Sequence, residues 1–368
     1  MFSQGTVSFR VCRLPEDMPE PEATIECFSK NRAGSLESLG EEPEWGWVTC
    51  RHLLDTDITM EKVRIGGFYH ICLRQAVRRI PASLLNAEVG VEEYAHMQAS
   101  DGKRPNKKQR QEIKQQVRDR LLPQMPAQLS GVYCVIDQAE HLLYTTATSQ
   151  HALDAFLGMF GHTIGFEPIP LTPEFVCEAV HRIDPASVPA ICISPTLNYD
   201  DGEGNGTLGE NFLTWLWCRL ESSAGKLPPS KLGSFEMMLD GPLTFVSEGG
   251  GAFESVVKKG LPTISAEAKA ALMVGKKLKS AKLVLAQGKM EWSCGVDADG
   301  FIFKGMKLPE GEAMDADSVF EERMNAIFTF YAVFGDLFGT FLNEMCSSER
   351  LGEYREKAKT WIREREER

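Results

Sequence analysis

The sequence predicts an α+β fold, and three features support that prediction. Residues 6–14 and several later runs alternate apolar and polar residues, as half-buried strands do. Other stretches repeat apolar residues every three or four positions, which is typical of amphipathic helices. With 43% apolar residues among 368, the chain is large enough to bury more than one core. We therefore expect a mixed or antiparallel sheet domain that carries a projecting helical hairpin, followed by a second α+β domain.

The predicted elements divide the chain into five segments. In chain order they are a central sheet domain (1–80 and 127–182), a projecting basic hairpin (81–126), an acidic inserted loop region (183–229), a second α+β domain (230–346) and a charged tail (347–368). The hairpin is expected to end at Pro123 and Pro126, because proline does not continue a helix.

The central domain begins with a strand over residues 6–14 and a helix that Pro21 opens. Residues 64–77 follow as a strand with paired glycines near its start. His70 has no ligand partner at metal spacing, so we interpret it as a core histidine. Trp45 and Trp47 flank a glycine; a core edge is favoured there, and an aromatic platform for bases is the alternative. A β-hairpin and an amphipathic helix capped by Ser149 complete the domain.

The second domain contains a meander of three strands within residues 281–306 and, before it, a helix over 267–278 capped by Ser265. Residues 317–345 form a long helix, which we interpret as buried rather than membrane-spanning because glycines and charges interrupt it. Its six regularly spaced apolar residues exceed what one core face needs, which predicts an oligomer interface. They are Phe320, Ile327, Phe330, Phe334, Phe338 and Phe341.

Positive charge is concentrated in two short segments of a chain whose net charge is −12. Residues 103–120 contain eight Lys and Arg against two acids, and residues 258–289 contain eight Lys against one acid. In the first segment, a helix from Lys107 with Asn106 as N-cap would place four cations on one face. They are Lys107, Arg110, Lys114 and Arg118. Such a face suits a row of phosphates, although a solvated helix is the alternative.

The sequence lacks the common motifs of catalysis. Its seven histidines are scattered, and neither a nucleophile elbow nor a dinucleotide-binding glycine pattern is present. The acidic centre of residues 198–206 resembles half of a calcium loop, but Phe212 stands where an EF-hand requires Glu, so we favour an acidic loop. We expect no metal and no cofactor.

The ten cysteines lie far apart, which predicts buried free thiols in a reducing compartment. No basic segment followed by an apolar block opens the chain, so we predict no signal peptide, a cytoplasmic location and no membrane partner.

One order of features is recognisable over residues 45–173: a Gly-Trp-Val stretch, a strand, a basic helix closing in Leu-Leu-Pro, a Tyr-Cys-Val-Ile-Asp hairpin, an amphipathic helix and a Pro-Ile-Pro-Leu connector. This order resembles the recombination-associated protein RdgC family, and a weaker resemblance extends over residues 232–345. The resemblance implies a nucleoid-associated, ring-shaped homodimer that binds double-stranded DNA without sequence preference and limits access of the RecA recombinase. It also brings the exonuclease label that the family has carried.

The basic segments and the resemblance together predict the DNA-binding residues. They are Lys103, Arg104, Lys107, Lys108, Arg110, Lys114, Arg118, Lys258 and Lys259. The resemblance places the tip of the hairpin just after the Leu-Leu-Pro triplet, where family members carry a basic residue and then an aromatic one. This chain has Gln124 and Met125 there, which puts a tip contact between subunits in question.

Three functions therefore compete at this point. The first, which we favour, is a DNA-binding clamp without catalytic activity. The second is a Mg²⁺-dependent exonuclease that acts on DNA ends, for which no ligand set can be read from the sequence. The third is a protein-interaction module that has lost DNA binding, which the altered hairpin residues favour.

Overall fold

A computed structural model describes residues 1–37, 39–100, 102–191, Ser194, 206–247 and 253–364. The fold is α+β, as predicted, with one large antiparallel sheet and several helices. The predicted acidic loop at residues 198–205 and the glycine run at 248–251 lie outside the described residues.

Twelve strands are present in the described part of the chain. They are β1 (Val7–Arg13), β2 (Glu44–Thr49), β3 (Arg64–Ile65), β4 (Phe68–Arg78), β5 (Ala127–Asp137), β6 (Leu142–Thr145), β7 (Ile169–Pro170), β8 (Glu236–Val246), β9 (Glu254–Val257), β10 (Lys277–Gln287), β11 (Met290–Asp297) and β12 (Ile302–Lys307).

Ten α-helices accompany these strands within the same described ranges. They are α1 (Pro21–Lys30), α2 (Met60–Val63), α3 (Ala82–Ala99), α4 (Lys107–Leu121), α5 (Gln150–Ile164), α6 (Pro173–Ala179), α7 (Leu208–Ser222), α8 (Ala266–Met273), α9 (Ala316–Met345) and α10 (Ser348–Glu364).

The strands form a single sheet in the order β2-β4-β5-β6-β1-β12-β11-β10-β8-β9, with β3 paired to β4 and β7 to β1. The two predicted domains are therefore joined through β1, which pairs with β6 on one side and with β12 on the other. The predicted strand over 64–77 is divided into β3 and β4 by a turn at Gly66 and Gly67. Both glycines have positive φ, +57° and +89°, a conformation that glycine adopts without steric cost.

Helices cover the sheet unequally. On one face α1 and α5 enclose a core around Trp47, which is fully buried and donates its Nε1 hydrogen to Thr163 Oγ1 at 2.7 Å. Trp45 packs on the same core, so this tryptophan pair is a core edge, as favoured. A Cβ at Gly46 would lie 2.3 Å from the Cα of Ala33, so only glycine permits the close approach of residues 31–33, which pair with Trp47 alongside β2.

A larger core lies between the other face of the sheet and α7, α9 and α10. The six apolar residues singled out in the long helix are each at most 1% exposed. The prediction that they leave a free face for an oligomer interface is therefore wrong, because they are buried in the core that α9 shares with the sheet, α7 and α10. By length and composition Ala316–Met345 is also apolar enough to cross a membrane. Its phenylalanines instead form the centre of this core, so the predicted buried helix is confirmed.

The second half of the chain has helices in the segments predicted as a loop region and a charged tail, and one predicted helix there is shorter than expected. The predicted inserted loop region contains α7, in which twelve residues are buried. The predicted charged tail contains α10, whose Trp361 packs edge-on against Trp217 with ring centroids 5.5 Å apart. The helix capped by Ser265 ends at Met273 rather than at residue 278, because Gly275 turns the chain with a φ of +84° and β10 begins at Lys277.

Nine cysteines lie in the described ranges, and all are free thiols. Six of them are buried, as expected, whereas Cys346 is exposed. Burial raises the pKa of the Cys12 and Cys72 thiols to about 12, so both stay protonated near neutral pH. Cys192 lies outside the described residues.

The amino terminus is fixed against α9. Arg323 donates hydrogen bonds to the carbonyl oxygens of Met1, Phe2 and Gly5 at 3.2, 2.6 and 2.6 Å. Phe2 is fully buried beside His70, which stacks on Phe320 with ring centroids 4.6 Å apart. His70 is thus a core histidine, as predicted.

We predict that His70 makes folding stability depend on pH. Burial, with a smaller contribution from the terminal ammonium, lowers the pKa of His70 from 6.5 to about 4. The unfolded chain therefore binds a proton that the folded chain excludes, and stability falls as the pH drops from 6.5 towards 4. The expected loss between pH 6.5 and 5 is about 2 kcal/mol, at about 1.4 kcal/mol per pH unit. Urea unfolding at both pH values should show this loss in the native chain and a smaller one in His70→Phe. Equal losses in both proteins would contradict the prediction.

Candidate nucleic-acid interface

Helices α3 and α4 form a hairpin that projects from one end of the sheet. The hairpin leaves the sheet after β4 and returns to it at β5, where Arg78 and Ala127 are directly opposed in register. Its base is therefore at residues 78–81 and 122–127, and its distal turn is at residues 100–106. At about 1.5 Å per residue, α4 carries the distal turn about 20 Å from the sheet.

The predicted tip residues lie at the base of this hairpin. Arg78 donates hydrogen bonds to the carbonyl oxygens of Pro123 and Met125, and its other guanidinium nitrogen bonds the Leu36 carbonyl at 3.0 Å. Gln124 is exposed in the short 3₁₀ turn that links α4 to β5. Gln124 and Met125 therefore lie at the base of the hairpin rather than at its tip, because α4 runs towards the sheet and its carboxyl end is the inner one. The predicted contact between subunits at these residues stays a prediction.

A small core holds the two helices together. Leu85, Val117 and Leu121 are buried in it, and this cluster shares no buried side chain with the cores of the sheet. At its amino end, α4 has the predicted Asn106 cap. The Asn106 side chain accepts from the Gln109 backbone N–H at 3.0 Å, and the Gln109 side chain accepts from the Asn106 N–H at 2.9 Å. This reciprocal capping fixes the start of the helix next to the distal turn.

Several cations of α4 are held by carboxylates from other segments. Arg110 contacts Glu93 at 3.2 Å, and Arg118 contacts Glu41 at 3.1 Å. Arg120 contacts Glu88 at 2.9 Å and Glu92 at 3.2 Å. These pairs are largely exposed and contribute little stability individually, but they neutralise part of the predicted basic face. Over residues 82–121 the eight Lys and Arg are accompanied by six Asp and Glu.

The pattern of basic residues alone did not predict this neutralisation by α3. The available signal was the spacing of Glu88 and Glu92, which share a helix face, with Glu93 beside them. Which cations these acids would contact depends on how the two helices pack. Glu41 contributes from a loop distant in sequence, and no local pattern indicates its pairing with Arg118.

The remaining cations gather towards the distal turn. Lys103, Arg104, Lys107 and Lys114 are exposed, and within the described residues none of them makes an ion pair. Lys108 is exposed as well and lies 4.0 Å from Glu112, at the limit of an ion pair. The hairpin thus presents positive charge at the end farthest from the acidic body.

Lys258 and Lys259, the second predicted group, lie elsewhere on the molecule. They follow β9, the last strand of the sheet, and are exposed. Seven strand-to-strand steps separate β9 from β5 in the sheet order, or about 34 Å at the usual spacing of about 4.8 Å. The two basic groups therefore do not form one continuous surface within a protomer.

Among the residues that the structure describes, no three His, Cys, Asp or Glu side chains gather in a group that could hold a metal ion.

Comparisons with known proteins agree with this architecture. Residues 10–180 match the family model described as "Putative exonuclease, RdgC". Residues 10–180 belong to the RdgC family. The matched region begins within β1 and contains β2 to β7 and the hairpin, and it includes the region of the stronger resemblance in the sequence.

Three curated proteins named "Recombination-associated protein RdgC" are similar to the chain. That of Pseudoalteromonas atlantica is 32% identical over 126 residues, which cover 34% of this chain and 42% of the relative. That of Psychromonas ingrahamii is 24% identical over 170 residues, 46% of this chain and 54% of the relative. That of Bordetella parapertussis is 24% identical over 147 residues, 40% and 45% of the two chains. The chain thus spans about half the length of the RdgC relatives it matches.

We predict that the hairpin can be loosened without unfolding the sheet. Val117→Ala removes two buried methyl groups from the hairpin core, which should destabilise the hairpin by about 2 kcal/mol. Amide hydrogen exchange should then accelerate in residues 82–121 and stay unchanged in β4, β5 and β10. The exposed Gln116→Ala substitution is the control and should leave exchange unchanged. Equally faster exchange throughout the sheet would show that the two cores unfold together.

Proposed function

We propose that the chain binds double-stranded DNA without sequence preference, and that the distal half of the hairpin contacts the phosphates. The observation that supports this proposal best is the group of exposed cations without ion pairs at Lys103, Arg104, Lys107 and Lys114. Lysine and arginine contacts to phosphates provide affinity but carry no sequence information. The net charge of −12 repels DNA from the rest of the surface, so the hairpin would be the preferred point of approach.

The names of the similar proteins support a proposal for the cellular role. The curated relatives are named recombination-associated, and we propose the same involvement for this chain. A protein that covers duplex DNA would limit access of a RecA-type recombinase to it. We propose that this takes place on the nucleoid in the cytoplasm, with no catalytic step and no cofactor.

We propose further that the chain acts as a homodimer that can enclose the duplex as a ring. The apolar residues of the long helix are buried and Met125 lies at the base of the hairpin, so we consider another surface for the interface. The outer face of α3 is a candidate because it is uncharged, and Val91 and Tyr94 on it are each 64% exposed. Apolar and aromatic side chains of this kind are common at the centres of protein interfaces.

The DNA-binding prediction compares two sets of three cations on the same hairpin. Replacing Lys103, Lys107 and Lys114 by Gln removes cations without ion pairs, whereas replacing Arg110, Arg118 and Arg120 by Gln removes the same number of paired ones. Each phosphate neutralised contributes about 0.9 to the slope of log affinity against log salt. The first variant should therefore flatten the slope by up to about 2.7 per protomer engaged, and weaken binding to unrelated duplexes about equally. The second should have a smaller effect.

Gel-shift titration over a range of salt concentrations provides this measurement, and circular dichroism verifies that both variants fold. Unchanged affinity and slope in the folded Lys103, Lys107 and Lys114 variant would mean that the hairpin is only a solvated surface. The same end-labelled duplex, incubated with Mg²⁺ or Mn²⁺, should stay at full length. Shortened products that disappear when one carboxylate is substituted would instead identify an exonuclease.

The assembly prediction concerns mass in solution. Light scattering at micromolar concentration should give twice the 41.0 kDa of the chain. Tyr94→Glu together with Val91→Glu should lower the mass to that of one chain, because two carboxylates would be desolvated at the contact. Lys114→Glu, an exposed position on the other helix of the hairpin, is the control and should remain dimeric. A monomeric native chain would refute the homodimer, and a dimeric double variant would exclude this face.

A further inference from the structure

The far end of the sheet has an open edge. Strand β9 is the last strand in the order, and within the described residues it pairs only with β8. The backbone N–H and C=O groups on its other side therefore have no ladder partner there. Such an edge is a template for a further strand, and monomeric proteins usually protect it.

A groove of about 670 Å³ runs between this edge strand and α8. Ser255 and Val257 line it from the strand, Ala270 lines it from the helix, and Val274 lines it from the residue after the helix. The side chains of Ala270 and Val274 are short, so this part of the groove has room for side chains of another chain. An edge strand beside a helix is the arrangement that binds extended peptides by strand addition.

Exposed apolar side chains concentrate around the same groove. Five large ones lie between residues 253 and 274 with 43–70% of their surface exposed: Phe253, Val256, Leu261, Ile264 and Val274. An apolar group of this kind, bordered by charges, is typical of a protein interaction site. Apolar side chains do not bind phosphates, so this group distinguishes the surface from the distal turn of the hairpin.

The charges that line the groove indicate an acidic partner. Lys258 and Lys259 are exposed at the end of β9 and make no ion pair within the described residues. Lys276 also lines the groove and donates to Ser255 Oγ at 2.6 Å. Glu267 is the one carboxylate in the described lining. A segment that carries acidic residues is therefore complementary to it.

We propose that this groove binds an extended, acidic segment of a partner protein, which adds to the sheet as a strand beside β9. Alternate side chains of the segment enter the groove, where apolar ones contact Ala270 and Val274. Acidic ones contact the lysines at the end of the strand. The proposal assigns Lys258 and Lys259 to a protein partner and leaves DNA binding to the hairpin.

The test uses the full chain and a fluorescein-labelled nonapeptide of alternating Val and Glu. Fluorescence anisotropy should show saturable binding. A peptide with Lys in place of Glu should not bind, because its charge is that of the groove. A Glu peptide with two central residues replaced by Pro should not bind either, because proline cannot donate to a strand ladder.

Two groove variants and one matched control locate the binding. Ala270→Glu places a carboxylate in the groove, and Lys258→Glu with Lys259→Glu reverses two charges at its end. Each should weaken peptide binding at least tenfold, an effect of about 1.4 kcal/mol or more. Lys231→Glu with Lys289→Glu reverses two exposed lysines that do not line the groove, and it should change binding less than about twofold. The hairpin variant of Lys103, Lys107 and Lys114 should bind the peptide normally, so this test is independent of DNA binding.

Three results would overturn the proposal. The first is the absence of peptide binding up to about 1 mM, the range of very weak complexes. The second is loss of dimerisation in the groove variants without peptide binding, which would make a second copy of the chain the occupant. The third is a peptide affinity that neither groove variant changes, or that stays unchanged in the Lys258 and Lys259 variant while its DNA affinity falls. The fall in DNA affinity would make this surface part of the DNA interface.

Discussion

Strand β1 hydrogen-bonds to β12 along its first half and to β6 along its second half, and the continuity of the sheet depends on these two ladders. Its side chains also connect the layers. Phe9 is fully buried and stacks on Phe303 of β12 with ring centroids 5.0 Å apart. Tyr144 of β6 contacts Phe9 from the other side of β1. The core beneath α9 therefore extends across both halves of the sheet without a break.

The arrangement around β1 is nearly symmetric in sheet order. On one side the strands follow as β6, β5, β4 and β2, and on the other as β12, β11, β10 and β8. In each half, the strand next to β1 is followed along the chain by a helix: α5 follows β6, and α9 follows β12. The two halves differ most in one connection. Strands β10 and β11 are joined by a turn at Gly288 and Lys289, whereas the equivalent strands β4 and β5 are joined by the whole hairpin. The hairpin thus occupies the place of a simple turn, which explains why it has a core of its own.

Local signals predicted most of the elements, and the failures concern contacts between distant segments. The Asn106 cap, the glycine pair at 66 and 67 and the meander of β10 to β12 follow from short-range chemistry. The periodicity of the long helix indicated which residues are apolar. It did not indicate that α7 and α10 would pack against the long helix and help to bury these residues, because that depends on tertiary packing. The partner of Arg118 was likewise unpredictable, since Glu41 is far away in the sequence.

The independence of the hairpin core has a consequence for how this protein can change over generations. Its buried side chains are few, and none is shared with the sheet, so substitutions on the outer surface of α4 leave both cores intact. Lysines can be gained or lost there with effects on stability that are usually within about 0.5 kcal/mol. The strength of attraction to a polyanion can therefore drift by large factors while the fold is retained. Selection can adjust the charge of the hairpin and the architecture of the sheet as two separate traits.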